Sequence, residues 1–114
     1  MGKLFVCQGE TVCDMSNHRA LCFYELTKTA AEIIGVEVQI YYNFSDEYHF
    51  NKHAFLELVQ KSCNHRLMRK GELLHNWLKY AIGVAENILK EELKYYDSEG
   101  SRIESIRYLR IEEI

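Results

Sequence analysis

Proline is missing from this chain, and in 114 residues tryptophan occurs once and cysteine four times. Without proline there is no proline-rich linker and no cis-proline turn on which to build a site. No stretch approaches the roughly 20 apolar residues that span a bilayer as a helix, so no membrane contact is expected. The opening Met1-Gly2-Lys3-Leu4-Phe5-Val6-Cys7 holds one charge and too short an apolar run for a signal peptide, and a cytoplasmic protein is expected. A basic surplus is lacking as well: the net charge is −3. Nucleic acid is therefore unsupported as a partner, because affinity for phosphate backbones comes mostly from concentrated Lys and Arg. Repeats and low-complexity tails are not found.

The chain does hold 47% hydrophobic residues. That suffices for a core without staples, and residues 1–114 read as a single domain. Lys3 to Cys7 is short and apolar between two glycines, which predicts a buried strand. Gln8 to Ser16 reads as a loop, and Ser16 or Asn17 as the cap of a helix through Ile34. Phe23, Leu26, Thr27, Ala30, Ile33 and Ile34 share its inner face, and Gly35 ends it. Val36 to Phe44 alternates apolar and polar residues and predicts a half-buried strand. Ser45 to His49 then reads as a loop, and Asn51 caps a helix to Cys63 with Phe55, Leu58, Val59 and Ser62 inward.

From Lys70 to Tyr96, apolar residues recur at steps of three and four around Trp77, which predicts one long amphipathic helix of roughly 40 Å. Ile103 to Ile114 is rich in β-branched residues and reads as a last strand. The expected class is α+β: a small sheet of about three strands with helices packed on one face, in the order β-α-β-α-α-β. The first two strands are expected to pair in parallel across a helical crossover.

Several groups of residues invite chemistry. Cys7, Cys13, His18 and Cys22 bring three thiols and an imidazole from a strand end, a loop and one helix face, and could surround a zinc ion. They lack the two-residue knuckle spacing of structural zinc sites, and reduced thiols, with Cys7 and Cys22 in the core, are the plainer alternative. His49 and His53, with Glu47 and Glu57 nearby, form a second set of potential metal ligands, or simply exposed helix histidines. Arg66, Arg69 and Lys70, beside Lys61 and His65, concentrate positive charge ahead of the long helix. They suit an anion or acidic surface there, or else a solvated connector. Tyr41, Tyr48 and Phe50, in an aromatic-rich stretch, are rigid amphipathic rings suited to a partner surface unless the sheet is covered on both sides.

Two resemblances can be stated on particular residues. Leu4-Phe5-Val6-Cys7-Gln8-Gly9 resembles the opening of low-molecular-weight tyrosine phosphatases, which implies a nucleophilic Cys at a strand end above a phosphate loop. The chain departs from that pattern with Cys13 in place of the loop arginine and with no proline for the Asp-Pro general acid. Arg69 and His75 are similar in spacing to the Arg–His motif of HEPN-type ribonucleases, an all-helical family, from which the strand at 36–44 departs.

No nucleophile, base and orienting group assemble from local spacing. The expectation is a protein-protein interaction module of the inhibitor, immunity-type or regulatory-subunit kind, binding a protein partner or self-associating as a homo-oligomer. The alternative is a small enzyme or sensor with a Cys/His metal or thiol site near the amino terminus.

Overall fold

The computed structural model describes residues 2–7, 10–43, 46–64 and 72–89. Within them the chain forms a mixed sheet of four strands with three helices, an α+β fold. The elements run β1 (Gly2–Cys7), β2 (Glu10–Ser16), α1 (Asn17–Ile34), β3 (Tyr41–Asn43), β4 (Glu47–His49), α2 (Lys52–Asn64) and α3 (Glu72–Leu89). In space the strand order is β2-β1-β4-β3.

β1 is the apolar strand that its composition predicts, but the segment after it is not a loop. Glu10–Ser16 pairs antiparallel with β1, and the register slips between Phe5, opposite Cys13, and Val6, opposite Thr11. That bulge at Val12 is why β2 shows no clean period of two. The parallel neighbour of β1 is β4, with Phe5 opposite Tyr48. Glu-Tyr-His is too short and polar to read as a strand alone. It becomes one because β1 and β3 supply hydrogen bonds on both sides.

The predicted strand from Val36 to Phe44 is corrected in the same way. Among its described residues only Tyr41–Asn43 joins the sheet. Gln39 has φ 52°, a left-handed conformation that an extended ladder does not tolerate. The alternation is real but reports burial: Val38 is in the core and Val36 and Ile40 pack against it.

Helix ends follow the sequence closely. Ser16 has the extended backbone of an N-cap, though its hydroxyl makes no capping bond. Gly35 closes α1 at φ 87°, where a side chain would be strained. The N–H groups of Gly35 and Val36 both donate to the Ala31 carbonyl, at 2.8 and 3.0 Å. Asn51 Oδ1 caps α2 by accepting from the Ala54 N–H at 2.9 Å. Ile33, expected inside, is exposed, while Ala31 is buried in its place.

The core lies between the sheet and the helices. Phe5 stacks on Tyr48 with centroids 4.9 Å apart and meets Phe23 of α1 edge-on at 5.3 Å. Phe55 of α2 and Trp77, Leu78 and Ile82 of α3 complete it. One buried polar contact ties the helices together: Trp77 Nε1 donates to Thr27 Oγ1 at 2.9 Å, and Thr27 Oγ1 donates to the Phe23 carbonyl at 2.6 Å. The described part of the long helix, 18 residues, is about 27 Å long. Leu73 near its start stays 66% exposed. The strand expected at Ile103 to Ile114 lies outside the described residues. No described helix is long and apolar enough to cross a membrane.

Candidate functional site at the β3–β4 hairpin

β3 and β4 pair antiparallel, with Tyr41 opposite His49, Tyr42 opposite Tyr48 and Asn43 opposite Glu47. Because side chains alternate across a sheet, Tyr48 turns to the core. Tyr41, Asn43, Glu47 and His49 fall on the opposite face. There the imidazole of His49 lies flat on the Tyr41 ring, with centroids 5.3 Å apart and planes 10° from parallel. Asn43 clasps the strand beside it: its Oδ1 accepts from the Glu47 N–H at 3.2 Å, and its Nδ2 donates to Glu47 Oε1 at 3.0 Å. The same Nδ2 stands 2.9 Å from His49 Nε2, which is also 3.2 Å from Glu47 Oε1. The Asn43 bond first, and the histidine second, hold the Glu47 carboxyl below its ordinary range.

A second set of polar contacts fastens Tyr42. Lys3 Nζ donates to the Tyr42 hydroxyl at 2.9 Å, and that hydroxyl donates to Asp46 Oδ1 at 2.9 Å. Lys3 also pairs with Asp46 directly. The lysine bond, with help from Tyr42, lowers the Asp46 carboxyl, and the aspartate raises the Lys3 ammonium in turn. Asp46 has φ 61°, which an Asp tolerates better than most residues. Its carbonyl accepts from the Leu4 N–H at 3.1 Å. Thus Tyr41 and Tyr42, 58% and 39% exposed, are both held in place, on opposite faces of the hairpin.

The residues singled out from sequence are placed unevenly. Tyr41 is at the surface, but Tyr48 and Phe50 are only 6% exposed and belong to the core. Of the three expected contact rings, the structure leaves one outside. Cys7 is buried, Cys13 half-buried, and His18 and Cys22 exposed; among the described residues no cysteine, Cys63 included, is in a disulfide. Among the described residues no three His, Cys, Asp or Glu side chains stand together as a metal site. The structure thus does not gather Cys7, Cys13, His18 and Cys22, nor His49, His53 and Glu57. Glu57 pairs with Lys61 at 2.9 Å. The expected anion site of Arg66, Arg69 and Lys70 lies outside the described residues.

Sequence reasoning missed Asn43, Lys3 and Asp46. Seeing them requires knowing that Glu47 to His49 is a strand, since only then do Glu47 and His49 share a face with Asn43.

One further feature is a cleft of about 410 Å³ between β2 and α3, lined by Cys13, Lys79, Tyr80, Gly83 and Asn87 among others. Burial pushes the Cys13 thiol up, and a hydrogen bond with Tyr80 only partly opposes it. A thiol so placed keeps its proton near neutral pH and is a poor nucleophile.

Comparison of the chain with protein-family models, with curated proteins and with solved structures finds no match.

Proposed function

We propose that this chain is a protein-binding module of the inhibitor, immunity-type or regulatory-subunit kind, acting in the cytoplasm and associating with a second copy of itself through the β3–β4 hairpin. The observation that carries this reading is Tyr41: an aromatic ring 58% exposed and yet stacked face to face on a histidine that its own neighbours hold. An exposed ring fixed in advance loses little freedom on binding, which is what makes tyrosine effective at the centre of protein contacts. Tyr42, on the other face of the hairpin with Tyr48, is pinned by Lys3 and Asp46 and steadies β3 behind that surface. Four cysteines without a disulfide among the described residues support a reducing compartment. A thiol enzyme built on Cys13 is less well supported, because burial disfavours the thiolate.

Sedimentation of the purified chain tests the reading. A dimer is expected below roughly 100 μM, and Tyr41→Ala should weaken it about tenfold or more, as loss of a central anchor does. A wild-type chain that stays monomeric at that concentration overturns self-association.

A further inference from the structure

His49 Nε2 sits between a donor and an acceptor, and one protonation state cannot serve both. Asn43 Oδ1 is occupied by the Glu47 N–H at 3.2 Å. The amide is thereby oriented so that Nδ2, a donor only, faces Nε2 at 2.9 Å. That contact is a hydrogen bond only when Nε2 offers its lone pair, with the ring neutral and its proton on Nδ1. Glu47 Oε1, an acceptor only, stands 3.2 Å from the same nitrogen. That contact is a hydrogen bond only when Nε2 carries a proton. The two contacts therefore describe two bonding patterns that exclude each other.

We propose that a proton on His49 switches this hairpin from an Asn43-clasped form to a Glu47-bound form, and so gates the Tyr41 contact surface. This regulation rests on the reading of Tyr41 as the anchor. Histidine gains and loses its proton between about pH 5 and 8. With Nε2 protonated, Asn43 Nδ2 faces a second donor at 2.9 Å, and the two compete for Glu47 Oε1, to which Nδ2 itself donates at 3.0 Å; that competition weakens the Asn43 clasp and loosens β3 next to Tyr41. The ring is drawn to the Glu47 carboxylate, which is ionised throughout this range. The charged ring bonds this carboxylate more strongly than the neutral ring does, and as it closes on Glu47 Oε1, now 3.2 Å away, its stacking on Tyr41 changes with it. The groups facing His49 among the described residues are Glu47 from its own strand and Tyr41 and Asn43 from β3. Val6, opposite it on β1, carries no charge. Lys3 and Asp46 are engaged with Tyr42.

Nuclear magnetic resonance of the full chain labelled with nitrogen-15, together with sedimentation at about pH 8 and about pH 5.5, tests the switch. At the higher pH, His49 should be the neutral tautomer with the proton on Nδ1. The Asn43 side-chain amide should then move with the same midpoint as the His49 ring, and the dimer should weaken about fivefold at the lower pH. His49→Gln should remove both responses; Asn43→Ser, which keeps a short polar side chain in β3, should leave the ring to titrate but abolish the change in association. An Asn43 amide that ignores the His49 titration, or a neutral ring with its proton on Nε2, overturns the switch even if the dimer forms. An amide that follows the ring in a chain that never dimerises supports the switch and overturns the anchor reading alone.

Discussion

Tyr48 and His49 are neighbours on β4, yet their environments differ completely. Tyr48 is packed among Phe5, Tyr24 and Tyr42, with ring centroids 4.9 to 5.0 Å away. His49 lies on the other face, against Tyr41 and within hydrogen-bond reach of Asn43 and Glu47. One side of the sheet holds the molecule together by removing aromatic surface from water. The other side fixes the positions of polar and aromatic groups through contacts that add little to stability in partial solvent. A surface whose order is cheap to lose is also one that a proton or a partner can rearrange.

The sharpest way to break this contrast is to truncate one residue on each face. Phe5, fully buried between Tyr48 and Phe23, should cost about 3 to 5 kcal/mol as Phe5→Ala, through lost burial and the cavity left behind. His49→Ala, on the opposite face, should cost less than about 1 kcal/mol, as is usual for a partly exposed side chain away from the core. Urea unfolding of the two variants decides the matter: equal losses would mean that the hairpin's outer face is part of the core.

A smaller effect is expected where the core itself is polar. Thr27→Val keeps the shape of the side chain but leaves the buried Trp77 N–H without its acceptor. An orphaned buried donor costs about 1 to 3 kcal/mol. Thermal melts should show that loss, together with a change in tryptophan fluorescence, since the chain has a single Trp. A neutral result would show that α1 and α3 are joined by packing alone.

The same contrast explains what could be read from the sequence. The three helices were legible because their apolar periodicity and caps are local: Gly35 and Asn51 sit where the chain needs them. The buried face of α2, with Phe55, Leu58, Val59 and Ser62, follows directly from spacing. The sheet was legible only where a strand is apolar in its own right, as in β1. Glu47 to His49 is a strand because of its neighbours, and Val36 to Ile40 is not one despite its alternation. Tyr48 and Phe50 were expected outside because the strand that orients them was not recognised. The candidate site suffered most, since Lys3 and Asp46 are 43 positions apart, and no spacing rule connects them.

The smallest effect, and the most specific, concerns the charges that hold Tyr42. The Asp46 carboxyl is depressed below its ordinary 3.8, first by the Lys3 bond and then by Tyr42. A carboxyl with a lower pKa in the folded than in the unfolded chain stabilises the fold fully above its unfolded value. That contribution fades as the pH falls through the folded value. The raised Lys3 ammonium acts in the opposite sense, stabilising below its ordinary 10.5 and losing its effect as the pH rises through the folded value. Since the pair is partly exposed to solvent, its contribution is small and sensitive to salt. Asp46→Asn should therefore flatten the acid limb of the wild-type stability curve below about pH 4. At neutral pH the variant should lose little, and high salt should narrow its difference from wild type. Unfolding midpoints in urea, taken from about pH 5 down to about pH 2.5 with and without salt, measure this. Parallel acid limbs would mean that Tyr42 is held by packing on Tyr48 rather than by Lys3 and Asp46. The exposed rim of the inner face would then depend on the same forces as the core behind it.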